Sequence, residues 1–396
     1  MIHTQPGPNP YPRPNPHPVA STSPWAAVPP RPRTGGLVFA IIGIVLAGGV
    51  GLLVIAYLVV AMGASTVAVG AALALIPLAA VLLAIRWVDR WEPEPRWALW
   101  FAFLWGAAVS VAIALVVDLG VQLAAAAAIG AAPDSALQAV VQAPIVEEAA
   151  KGVGVLALYL FSRSHFDGPV DGLVYAATIA AGFAFTENIL YFGSALVEDG
   201  AAGLGATFVV RAIFSPFAHV LFTACTGLAL GIAARRGGGA RVIGWFLLGL
   251  AAATALHALW NGSLAFSPDA VGLYLTVQVP IFAAAVVATV LLRRREVAIT
   301  RARLAEYAAA GWFAPAEVDM LATHAGRRGA MRWAKGLRPA RTATMRRLIA
   351  DATHLAFDRQ MIATGRADVR RAHDERALLA RIAADRASLM APSVHA

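Results

Sequence analysis

Cysteine is almost missing from this 396-residue chain: Cys225 stands alone, so no disulfide can form within it. Charge is scarce too. Asp, Glu, Lys and Arg make up 14% of the residues against 59% hydrophobic ones, and the mean hydropathy is +0.67. A water-soluble chain of this length needs a polar surface that such a composition cannot supply, which leaves hydrocarbon as the solvent for most of it. Lysine is rarest among the charges: Lys151 and Lys335 are the only two, and arginine carries the rest of the positive charge. No His-Glu-x-x-His pair occurs, so the helical zinc-protease signature is absent. No basic start followed by a short apolar stretch and a cleavage site reads as a signal peptide.

Residues 1–35 are instead Pro-rich, with prolines at nearly every second position from Pro6 to Pro18 and again at Pro29, Pro30 and Pro32. Proline fixes φ and removes a donor, so a disordered, solvated tail is expected there. Apolar runs follow near 36–62, 66–86, 97–118, 138–161, 171–193, 205–233, 241–262 and 271–292. Each approaches the roughly 20 residues that a spanning helix needs. The stretch 121–130 is apolar but short and Ala-rich, and leaves room for a re-entrant piece. The reading is all-α: a polytopic membrane helix bundle of about eight transmembrane helices over 36–292.

Loop charge orients the bundle. Arg86, Arg90 and Arg96 flank the second loop, Arg163 the fourth, Arg235, Arg236 and Arg241 the sixth, and Arg293 to Arg295 follow the eighth span. The alternate loops hold Asp118, Asp134, Glu198, Asp199 and Asp269 with no Lys or Arg. By the positive-inside pattern, both ends of a protein in the cell membrane are then cytoplasmic. Beyond Arg293 the chain turns polar, with 20 Lys/Arg against 10 Asp/Glu, so residues 293–396 carry the whole positive excess of a chain whose net charge is +9. Leu348-Ile349 with Leu355-Ala356, and Leu378-Leu379 with Ile382, suit amphipathic helices. This cytoplasmic helical tail is suited to anionic lipid headgroups, at about 1 kcal/mol per nearby charge. No motif points to nucleic acid.

Ionisable side chains inside spans are costly and mark function. Four consecutive spans carry them here. Glu147 and Lys151 share a helix face one turn apart, with Glu148 beside them. Two adjacent carboxylates in hydrocarbon cannot both ionise cheaply, a condition that suits general-base chemistry. The next span carries Phe183, Thr186, Glu187 and Asn188. The following one carries Arg211, Ser215 and His219 at four-residue spacing, with Pro216 between them, and the last carries His257 and Asn261 one turn apart. Any one of these could be an interhelical hydrogen bond; together they outnumber what packing requires, which Ser and Thr meet more cheaply. Counted from the loops, Glu147, Glu187 and His257 fall near the acidic-loop ends of their spans, so the cavity is expected in the outer half of the bilayer.

The same residues carry a family resemblance. Glu-Glu-x-x-Lys at 147–151, Phe-x-x-x-Glu-Asn at 183–188, the Arg211…Ser215-Pro216…His219 stretch and His-x-x-Trp-Asn at 257–261 resemble the motifs of the PrsW intramembrane proteases, and so do Asp-Arg-Trp-Glu-Pro-Glu-Pro at 89–95 and Phe-Asp-Gly-Pro-Val-Asp-Gly at 166–172. More distantly, they are similar to the CAAX-prenyl endopeptidases, although Lys151 stands near the place of an Arg and Glu187 in the place of a His. The resemblance implies an intramembrane endopeptidase acting on a single-span membrane protein such as an anti-sigma factor. Glu147 or Glu148 would activate water with help from Glu187. His257 and Asn261 would donate to the oxyanion, with Lys151, Asn188, Arg211, Ser215 and His219 in support. Zinc held by Glu187, His219 and His257 and a metal-free glutamate mechanism are both compatible with these residues. The rival readings are a proton-coupled transporter, which calls for inverted repeats not evident here, and a catalytically inactive membrane adaptor.

Overall fold

A computed structural model describes residues 34–391 apart from 164, 237, 238, 240, 338 and 365–368; nearly all of the Pro-rich segment lies outside the described residues. Every regular element among the described residues is helical. Helices α1 (Thr34–Met62) and α2 (Ala64–Val88) come first. Helix α3 runs from Arg96–Leu104 through a π-helical turn, Trp105–Ser110, into Val111–Ile129. The stretch 121–130 is therefore the end of α3 and not a re-entrant piece. After the loop 130–134, a short turn and the π-helical Gln138–Gln142 lead into α4 (Ala143–Phe161).

Helix α5 (Pro169–Phe208) is broken once, at Gly200, whose φ of 65° and ψ of −152° are open to glycine and costly for other residues. Beyond that point the chain folds back on itself. Phe208 meets Phe192 with ring centroids 5.8 Å apart, and Arg211 Nε donates to Asn188 Oδ1 at 2.6 Å. The returning π-helical turn Val209–Phe214 ends at Ser215, and α6 (Ala218–Arg235) carries the return to completion. Gly172 of α5 and Gly227 of α6 approach so closely that a Cβ on either would collide with the other's backbone. Glycine at both positions is what lets the two arms of this hairpin pack.

Helices α7 (Arg241–Phe266) and α8 (Val279–Ala309) follow. Among the described residues, six runs are long and apolar enough to cross a membrane. The count of about eight differs from this for two physical reasons. The 67-residue run Pro169–Arg235 is a folded hairpin and not one rod, and α4 falls out of the count by composition, because Glu147, Glu148 and Lys151 interrupt its apolar sequence.

Helix α8 runs on past residue 293 without a break, so the boundary between membrane bundle and tail lies inside one helix. Four further helices follow among the described residues, α9 (Pro315–Leu321), α10 (His324–Leu337), α11 (Pro339–Ala363) and α12 (Val369–Met390). Leu348, Leu355, Ala356, Leu378, Leu379 and Ile382, the apolar positions of the amphipathic pattern, join Leu304 and Leu321 in one core. The tail is thus a packed helical bundle whose apolar faces meet one another.

That bundle grips the loop 89–95. Trp91, 2% exposed, donates Nε1–H to Thr300 Oγ1 at 3.1 Å and lies 3.4 Å from the Arg327 guanidinium. Arg327 also donates to the Trp91 carbonyl at 2.7 Å, and His354 pairs with Glu92 at 3.3 Å. Glu92, Asp167 and Asp171 lie within 4.8 Å of one another and Arg235 within 3.8 Å of Glu296, so the loops flanked by arginine gather at one end of the bundle.

Candidate active site

Helical spacing brings Glu147, Glu148 and Lys151 onto one side of α4, since positions three and four apart are neighbours on a helix surface. That side faces α5, α6 and α7. Lys151 Nζ, with no exposed surface, lies 3.2 Å from Glu147 Oε2, 2.8 Å from Glu148 Oε1 and 3.1 Å from His219 Nδ1. An ammonium has three donors, and here each has its acceptor. The Phe183 ring of α5 covers the charge, its centroid 3.8 Å from Nζ.

The partners fix the histidine tautomers. His219 Nδ1 accepts from Lys151, so its proton sits on Nε2, which meets Glu187 Oε2 at 2.8 Å. His257 Nδ1 lies 3.1 Å from Glu148 Oε1 and donates to it, which leaves the Nε2 lone pair free, 4.0 Å from Glu147 Oε2. Both oxygens of Glu148 are engaged: Oε1 takes Lys151 and His257, and Oε2 accepts from Thr223 Oγ1 at 2.8 Å. Glu187 is paired with Arg211, and Arg211 in turn stacks over Tyr191 at 4.1 Å.

Of the residues singled out from sequence, Glu147, Glu148, Lys151, His219 and His257 converge directly. Glu187, Asn188 and Arg211 form an adjoining group through His219. Ser215 stands apart, its hydroxyl closing the π-helical turn on the Val210 carbonyl at 2.7 Å. Asn261 is turned to the Ala139 carbonyl, 2.8 Å from its Nδ2. One contributor escaped the sequence reading. Thr223 extends the four-residue stripe of Arg211, Ser215 and His219 by one step, and that spacing could have found it. Phe183 belongs to the motif at 183–188, but nothing in its type announces a ring placed over an ammonium.

Helix α5 continues past residue 193, so Glu187 comes 13 residues before Gly200, about 20 Å of helix. A cavity of about 240 Å³ opens beside the cluster, lined by Phe214, Pro216, Trp260, Tyr274 and Phe282. Phe222 connects the two, lining the cavity while stacking on His257 at 4.8 Å.

Glu147, Glu148, His219 and His257 offer four ligand atoms within 4.8 Å of one another, a donor set whose chemistry suits zinc. The set is not the one expected, because Glu187 is committed to Arg211 and His219. In the arrangement present it does not fit a metal ion. Both ring nitrogens of His219 and both oxygens of Glu148 are engaged, and Lys151 Nζ occupies the space between the carboxylates.

The family described as PrsW family intramembrane metalloprotease matches residues 94–289. Curated proteins named Protease PrsW are similar to part of the chain. The one from Geobacillus kaustophilus is 31% identical over 143 residues, 36% of this chain and 57% of that protein. The one from Clostridioides difficile is 32% identical over 155 residues, 39% and 62% of the two chains, and the one from Bacillus subtilis 34% over 116 residues, 29% and 49%. The chain thus covers less than two thirds of the length of each relative. No solved structure matches. The match takes in all four helices that build the charged cluster, and over residues 94–289 the chain is similar to the PrsW family.

Proposed function

We propose that this protein is an intramembrane endopeptidase that hydrolyses a peptide bond in the span of a single-pass membrane protein. The 4.0 Å gap between Glu147 Oε2 and His257 Nε2 carries this reading. It is the separation that a bridging water fills, and both atoms are acceptors turned toward it. Glu147 takes a proton from that water as its oxygen attacks the substrate carbonyl, and later delivers it to the leaving amine. His257 accepts the second hydrogen and holds the water in line, while Glu148 fixes its tautomer in the way a carboxylate orients a catalytic imidazole. Asn261, one turn along α7, keeps a second amide hydrogen beyond the one given to Ala139 and supplies it to the oxyanion. Held through both oxygens, Glu148 is an anchor and Glu147 is the base.

The apolar cavity beside Phe222 suits a hydrophobic substrate segment entering from the bilayer. The break at Ser215 and Pro216, next to a π-helical turn, gives that wall of the cavity an irregular backbone of the sort found at functional sites. With the arginine-flanked loops and the tail on the cytoplasmic side of the cell membrane, the site lies toward the exterior half and the cut falls toward the exterior end of the substrate span. An anti-sigma factor is a substrate of the right architecture. The outward cationic face of the tail bundle, rather than its apolar side, would meet anionic headgroups.

The test is reconstitution of the full chain in lipid vesicles with single-span candidate substrates. Wild type should release fragments whose new termini, read by mass spectrometry, map to the exterior half of the span, and Glu147→Gln should release them far more slowly. Cleavage at the wild-type rate in Glu147→Gln would remove the base assigned here.

A further inference from the structure

We propose that the cation organising this site is the ammonium of Lys151, and that the cluster excludes a divalent metal for as long as Lys151 is present. The inference concerns the site on which the proposed hydrolase rests and adds the identity of its cation. A tetrahedral zinc site needs three or four donor atoms about 2.0–2.2 Å from one centre. Of the four candidate ligands, two already have every ligand atom engaged. His219 spends Nδ1 on Lys151 and Nε2 on Glu187, and Glu148 spends its oxygens on Lys151, His257 and Thr223. What remains is Glu147 and the Nε2 of His257, too few for zinc. The donors are instead arranged about Nζ at 2.8–3.2 Å, hydrogen-bond distances that suit an ammonium and exceed any zinc bond.

Lys151 has nowhere else to go. Its side chain is fully buried, Phe183 closes the space over Nζ, and two carboxylates already hold the ammonium. A lysine unpaired at this depth is unfavourable, so its departure to admit a metal is opposed by the bilayer itself. The sequence is consistent with a dedicated role, since this is one of two lysines in a chain that otherwise uses arginine. An ammonium is compact enough to serve three acceptors around one point, whereas a guanidinium spreads its donors over a plane. Lys151 is on this account a positioning residue. It holds Glu147 toward the water and fixes the proton of His219 on Nε2.

Metal content decides the question independently of activity. Full-length protein in nanodiscs is equilibrated with zinc chloride, passed through a desalting column, and its zinc per chain measured by plasma mass spectrometry. Wild type should hold no zinc that depends on His257. Lys151→Met frees Glu147, Glu148 and His219, and should gain about one zinc per chain, lost again when His257→Ala is added. Zinc bound by the separate carboxylates Glu92, Asp167 and Asp171 is recognised because it survives His257→Ala. Two results overturn the proposal: about one zinc per wild-type chain that His257→Ala removes, or a folded Lys151→Met protein that gains none. If Lys151→Met does not fold, the wild-type measurement still decides. Failure of the hydrolase reading has a different signature, namely no cleavage by wild type whatever its zinc content.

Discussion

Among the described residues, two clusters of buried and half-buried carboxylates are treated in opposite ways. In the membrane site, Glu147, Glu148 and Glu187 are met by Lys151 and Arg211, and two histidines take up the remaining hydrogen bonds. At the arginine-flanked end, Glu92, Glu94, Asp167, Asp171 and Glu296 crowd together with Arg235 and His354 beside them. Burial and the neighbouring carboxylates push Glu92 and Glu94 well above the usual carboxylate range, and Tyr175 donates to Glu94. Burial likewise raises Asp89 to about 7. A site in hydrocarbon neutralises charge with charge, because no water is at hand to do it. A cluster near the aqueous boundary can hold protons instead. The first arrangement keeps a carboxylate available as a base, and the second stores acid groups in their neutral form.

The sharpest way to break this contrast is to remove a charge from the membrane site. Glu148→Ala leaves His257 and Thr223 without their acceptor and weakens the hold on Lys151. Breaking a buried pair in this way typically costs about 3–5 kcal/mol. We expect a marked fall in the thermal midpoint of the protein in nanodiscs; an unchanged midpoint would mean that Glu148 is not the anchor. Next in size is Arg327→Ala, which takes the guanidinium from the Trp91 ring and from the carbonyls of Trp91 and Leu321. Hydrogen bonds to a charged donor are worth about 1.5–3 kcal/mol. The tail should loosen from the loop, seen as faster proteolysis between α8 and α12, while the spans stay protected. The smallest effect belongs to the proton-holding end. With its folded value near 7 and its ordinary value at 3.8, Asp89 binds its proton more tightly in the folded state. Its contribution to stability is complete at low pH and is lost as pH rises through about 7. Asp89→Asn keeps the acceptor for the Glu94 N–H and should flatten that slope in pH-dependent unfolding.

The membrane bundle and most of the site were legible in sequence for one reason: a charge inside an apolar run is conspicuous. Glu147, Lys151, His219 and His257 each interrupt hydrophobic sequence, and helical spacing then puts each on a definable face. What escaped depends on three-dimensional return. Gly200 resembles its neighbour Gly203 in sequence, yet it alone of the two takes a positive φ and turns the hairpin. That turn sets the depth of Glu187. The engagement of both Glu148 oxygens needs Thr223, 75 residues away, and the clasp of Trp91 by Arg327 spans 236 residues. The apolar faces of α11 and α12 were visible as a pattern, but a pattern does not say whether lipid or another helix will cover it.

The central claim is that the two adjacent glutamates have divided their roles, Glu147 moving protons and Glu148 holding the site together. Glu147→Gln and Glu148→Gln, each reconstituted in the same vesicles with the same single-span substrate, test it directly through single-turnover cleavage measured beside the thermal midpoint. The account predicts that Glu147→Gln lowers the rate by about 10²–10⁴, the usual contribution of a general base, with the midpoint within a few degrees of wild type. Glu148→Gln should lower the midpoint as well as the rate. Wild-type cleavage by Glu147→Gln, or a collapse of stability in that variant with none in Glu148→Gln, would contradict it.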